Sequence, residues 1–119
     1  MQGNKEKNLI ADLSFDFAIK IIKYTELLEK SRKCVMASQL LKLGTSIGAN
    51  VRETQNAESK IDFIHKMKIA AKEADETEYW LLLCDSSEGF PDCKELLIDC
   101  SSIIKVLSKI IGTSKSRLN

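Results

Sequence analysis

The chain's single proline, Pro91, sits inside its one dense cluster of turn-forming residues, Asp85-Ser86-Ser87-Glu88-Gly89-Phe90-Pro91-Asp92, and only five glycines occur in 119 residues. Proline removes a backbone donor and breaks helices, and glycine weakens them, so their scarcity elsewhere leaves long segments free to be helical. No segment sustains the apolar/polar alternation of a strand. Apolar residues instead return every three or four positions, the period of an amphipathic helix.

Four helices are expected. The first spans residues 5–30, with Ile10, Leu13, Phe17, Ile21, Tyr24 and Leu28 on one stripe and Phe15, Ala18 and Ile22 beside it. The second spans 32–57, with a stripe of Met36, Leu40, Leu43, Ile47 and Val51 and a small-residue strip of Ala37, Gly44 and Gly48. Each helical glycine costs about 1 kcal/mol relative to alanine, so another backbone is expected to approach there. The third spans 59–85, opening at Ser59 as N-cap with Asp62 three positions on, and running through Ile64, Met67, Ala70, Ala74, Leu81 and Leu82. The fourth spans 92–112, capped by Asp92 and stopped at Gly112, with a polar tail from 113. Short connections force neighbours to run antiparallel, which gives an all-α, up-down-up-down four-helix bundle in a single domain over residues 1–119.

With 44% hydrophobic and 29% charged residues the composition is that of a soluble globular domain, which excludes a disordered chain. No apolar run approaches the ~20 residues that cross a bilayer, and MQGNKEKNL lacks the apolar core of a signal peptide, so a cytoplasmic protein without membrane partners is expected. Cys34, Cys84, Cys93 and Cys100 lie within apolar helical patterns and read as small hydrophobes.

The net charge of +1 gives no strong overall field, yet the charge is patterned. Residues 32–57 carry four bases and one acid, while 58–88 carry four bases and eight acids. Within the third helix Lys60, Lys66, Lys68 and Lys72 precede a second half, from Glu73 to Glu88, that holds six acids and no base. Antiparallel packing places Arg52 at the same bundle end as those lysines. Arg52, Lys60, Lys66, Lys68 and Lys72 are thus the candidates for a local phosphate-binding patch, and a solvated helix face is the other reading of the same run. Phe15, Ala18, Ile19 and Ile22 on the first helix and Tyr79, Trp80 and Leu83 on the third exceed what one buried stripe requires. Phe15, Ile22, Tyr79 and Trp80 are therefore candidate contacts for a homo-oligomer, although an aromatic could equally close the bundle end.

Catalytic signals are weak. His65 is the only histidine; Asp62 and His65 have a metal-compatible i, i+3 spacing, but a di-iron bundle needs a second such pair and none occurs. Nothing local joins Cys34 to His65, the Arg-x4-6-His motif of helical ribonucleases is missing, and Gly44 and Gly48 follow no strand. No enzyme, metal or cofactor is expected. Asn50, Glu53, Glu73 and Glu78 border the apolar stripes and are expected to form a polar seam that sets helix register.

The runs Ser46-Ile47-Gly48-Ala49-Asn50-Val51-Arg52-Glu53, Asp62-Phe63-Ile64-His65-Lys66-Met67-Lys68-Ile69-Ala70 and Glu73-Ala74-Asp75-Glu76-Thr77-Glu78-Tyr79-Trp80-Leu81, with Ser14-Phe15-Asp16-Phe17-Ala18 and Ser38-Gln39-Leu40, resemble the bacterial four-helix-bundle family encoded in intervening sequences of the 23S ribosomal RNA gene. The resemblance covers nearly the whole chain. It implies a ring-forming bundle, typically a pentamer. Relatives include the accessory variability determinant of diversity-generating retroelements, which binds nucleic acid and a reverse transcriptase, so RNA, DNA or such a protein become expected partners. Asn50 and Glu53 match the family's Ala-Asn-x-x-Glu, and Glu73 and Glu78 match its acidic third-helix positions. That accessory is strongly basic, whereas this chain is near neutral. A protein-interaction scaffold without nucleic acid is the other expectation.

Overall fold

In a computed structural model residues 2–118 are described, with side chains from Leu9 onward. Four α-helices follow in order: α1 (Gln2–Lys30), α2 (Cys34–Glu53), α3 (Lys60–Ser86) and α4 (Lys94–Ser116), with a 3-10 turn at Thr54–Asn56 between α2 and α3. Each helix packs on its sequence neighbours, and α4 returns to α1 to close the bundle. The result is an antiparallel rod of 49 × 21 × 18 Å, its long axis set by helices that rise ~1.5 Å per residue.

The core is the expected set of stripes. Ile10, Phe17, Ile21, Tyr24 and Leu28 of α1 meet Leu40, Ile47 and Val51 of α2, Met67, Ala70, Ala74 and Leu81 of α3, and Leu96, Cys100, Ile103, Leu107 and Ile110 of α4. Leu82, expected on the α3 stripe, is exposed; Thr77 and Cys84 are buried in its stead. The buried hydroxyls of Ser14, Thr25, Thr54 and Thr77 each donate to a carbonyl three or four residues back in the chain, so none costs an unpaired polar group.

The helical glycines mark a close approach of α1. A Cβ on Gly44 would lie 2.8 Å from Ile21, and one on Gly48 would lie 3.3 Å from the Ser14 carbonyl. Lys20 closes the α1/α4 seam, donating to Glu95 and Asp99 at 2.8 Å each. At the end holding both tight turns, the Tyr24 hydroxyl donates to the Pro91 carbonyl (2.7 Å) and the Lys33 ammonium lies 4.8 Å from the Phe90 ring centre.

Several boundaries differ from expectation. The second helix starts at Cys34, not 32, because Arg32 takes a left-handed φ of 62° and closes α1: Arg32 N–H donates to Glu29 and Lys33 N–H to Leu28. Cys34 is consequently exposed, unlike the other three cysteines. Asp92 does not begin α4; its carboxylate accepts from Lys94 N–H, and Cys93 is the N-cap. The expected tail is helical through Ser116, passing Gly112 without a break.

Candidate functional site

Ser59 opens α3 as anticipated, its hydroxyl accepting from Asp62 N–H at 3.0 Å. Asp62 answers by accepting from Glu58 N–H at 3.0 Å and from Lys66 at 3.1 Å, and these bonds hold its carboxyl below the ordinary carboxylate range. Lys66 is therefore spent on an i, i+4 ion pair, and Asp62 faces its own helix start instead of sharing a ligand with exposed His65.

The five candidate cations do not form the single patch expected of them. Arg52 borders a groove between α1 and α2, beside Asp12 and Phe15. Lys72 is exposed one turn beyond Lys68. Lys60 lines a hollow of about 320 Å³ at the bundle end, together with Thr54, Phe63, Ile110, Thr113 and Arg117. Lys68 meets Lys115 of α4, and that second ammonium depresses the Lys68 pKa. Helical side chains lean toward the N-terminus of their own helix, so in this antiparallel pair the two lysines lean toward each other from different turns. Lys60 and Arg117 share one hollow, Lys68 and Lys115 share the adjoining α3/α4 face, and among the described residues none of the four has an acidic partner.

Lys115 and Arg117 lie beyond Gly112, where the sequence pattern predicts the end of α4 but the helix runs on to Ser116. The signal for them is a base in the last turn, where cations offset the helix dipole.

The polar seam is confined to one pair. Asn50 Nδ2 donates to Glu73 at 2.6 Å and to the Ser46 carbonyl at 3.2 Å. Burial raises the Glu73 pKa, with Asn50 and Ser46 opposing. Glu53 is exposed and belongs to no seam. Glu78 is half-buried, and its charge adds to the burial that pushes the Cys100 thiol up to about 12.

Of the expected contact residues, Phe15 (61% exposed), Ile22 (43%) and Tyr79 (59%) face outward. Trp80 is half-buried instead, packing partly against the core, with the Tyr79 ring edge-on at 6.1 Å. Cys34 starts α2 at the bundle end opposite His65, so the two share no site. Among the described residues no group of three or more His, Cys, Asp or Glu is placed to hold a metal ion, and no helix is long and apolar enough to cross a membrane.

No curated protein matches the chain. A crystal structure of a protein with unknown function, from the S23 ribosomal protein family of Bacteroides thetaiotaomicron VPI-5482, is similar with a TM-score of 0.84 and 42% sequence identity, covering 90% of this chain and 98% of that one. The 23S rRNA-intervening sequence protein family matches residues 6–109, so with the same fold and the greater part of its length accounted for, the chain belongs to that family.

Proposed function

We propose that this protein is a non-enzymatic, self-associating bundle that binds the phosphate backbone of RNA or DNA at the end where α3 begins and α4 finishes. The observation that carries the reading is that Lys60 and Arg117 share a hollow walled by Phe63 and Ile110 while Lys68 and Lys115 meet on the adjoining α3/α4 face, four cations without acidic partners among the described residues. Like charges held together are costly unless an anion relieves them, and a phosphate chain supplies repeated anions. The apolar wall offers a sugar or base a surface to lie against. Self-association repeats the cations and adds avidity to a weak single site. The acidic second half of α3 is then free for a protein partner.

Titration of labelled single-stranded RNA and duplex DNA at several salt concentrations tests the proposal. Affinity is expected to fall with a log-log slope of about −0.9 per phosphate contact on duplex DNA, and Lys60→Glu with Arg117→Glu to abolish binding. Absence of binding at low salt would leave the scaffold reading, which the exposed apolar residues favour. His65→Ala is expected to change nothing, since the reading gives His65 no role.

A further inference from the structure

The hollow where α3 begins and α4 finishes has a volume of about 320 Å³, at the small end of the ~300–1,000 Å³ of organic-ligand sites, and has room for one nucleotide unit. Its lining is of three kinds. Buried Ile110 and half-buried Phe63 make one wall apolar and partly aromatic. Exposed Lys60 and Arg117 make the rim cationic, and no acid lines the hollow. The exposed Gln55 amide and the half-buried Ser114 hydroxyl add hydrogen-bonding groups, and among the described residues neither side chain is spent on a bond within the chain.

We infer that this hollow seats a single unpaired nucleotide, its base against Phe63 and Ile110 and its phosphate between Lys60 and Arg117. The inference rests on the phosphate-binding reading above and adds the unit recognised and the requirement that it be unpaired. Simpler ligands use only part of the lining. A bare phosphate would meet the cations and leave the apolar wall in water. A fatty or aromatic anion would cover the wall but set carbon against Gln55 and Ser114, leaving both unpaired. A base joins a flat apolar face to a hydrogen-bonding edge, and an amide, being donor and acceptor at once, matches such an edge. The Arg117 fork grips two phosphate oxygens, and Lys60 adds a point charge. A duplex does not offer the same unit, because its bases are stacked and paired and extruding one is costly. An unpaired strand or a free nucleotide supplies it.

Calorimetric titration of the full chain at low salt tests this, with the nucleoside monophosphate of each RNA base, ribose phosphate and phenyl phosphate as probes. The best nucleoside monophosphate is expected to bind about tenfold more tightly than ribose phosphate, which lacks the base, and than phenyl phosphate, which lacks the hydrogen-bonding edge. Phe63→Leu is expected to weaken the nucleotide several-fold and leave ribose phosphate unchanged, while Arg117→Gln weakens all the probes alike. Gln55→Leu, at an exposed position that keeps the test usable should the Phe63 variant misfold, is expected to bring the nucleotide down to the phenyl phosphate level. An unpaired oligonucleotide and the blunt duplex of the same sequence then identify the source. A single strand that outbinds the duplex and is displaced by the nucleotide places the seated unit in a strand. A nucleotide that binds where no strand does makes the free nucleotide the ligand, and overturns the nucleic-acid reading alone. Probes that all bind equally, or a duplex that matches the single strand and is not displaced, would overturn the seat and leave backbone binding intact. Absence of binding by every probe and strand would overturn both.

Discussion

Asn50 supplies the donor that keeps the half-buried Glu73 carboxylate tolerable between α2 and α3. Burial raises the Glu73 pKa above its unfolded value, so between those two values the folded chain holds more protons than the unfolded one, and this group's contribution to stability falls as pH rises. Asn50→Ala removes the opposing hydrogen bond and raises that pKa further. The variant is expected to lose about 1 kcal/mol at neutral pH, after discounting for solvent access, and to lose less as acid neutralises Glu73. Urea unfolding at neutral and mildly acidic pH reads both results. This pair was legible in the sequence because Asn50 adjoins Ile47 and Val51 on the helical strip. Glu53 was not, because α2 gives way to a 3-10 turn immediately after it and leaves the carboxylate in water. Tyr79 and Trp80 show the same limit: neighbouring residues on a helix point about 100° apart, and periodicity alone does not say which of two edge aromatics turns inward.

Among the elements, the four helices and their order were readable because one proline and a few glycines punctuate a chain otherwise periodic at three to four residues. The ends were harder. Arg32 occupies the left-handed position where glycine normally signals a helix stop, so the α1/α2 boundary carried no mark in the sequence. Gly112 carried a mark that the fold overrides, since Ile110 and Ile111 pack on the core and draw the helix through it. The glycines consequently predict opposite outcomes for one substitution. Gly112→Ala meets nothing within 4 Å and is expected to stabilise by about 0.5–1 kcal/mol through helix propensity. Gly44→Ala gains the same propensity but drives a Cβ to 2.8 Å from Ile21, a fully buried, β-branched side chain with little freedom to move. Overpacking of this kind costs roughly 1–3 kcal/mol, so a net loss of about 1 kcal/mol is expected. Denaturant midpoints of the two variants, measured side by side, check the contrast.

At the scale of the whole molecule, a net charge of +1 conceals a rod 49 Å long whose ends differ. Salt at physiological strength screens exposed charges beyond ~8 Å, so a phosphate at the α3/α4 end responds to the nearby lysines and hardly to the acidic second half of α3. Lys115 separates a structural role from a binding one. As a last-turn cation it favours the C-terminal dipole of α4, yet it also faces Lys68 and depresses that group's pKa. A lysine with a lowered folded pKa contributes least to stability while charged, so its like-charged neighbour is a burden on the folded state unless an anion lies between them. Lys115→Gln is therefore expected to return the Lys68 pKa toward its ordinary value, visible in a lysine side-chain NMR titration. If the pair holds phosphate, the same variant flattens the salt dependence of duplex DNA affinity by about 0.9 in log-log slope, the loss of one contact. A purely structural Lys115 would leave that slope unchanged.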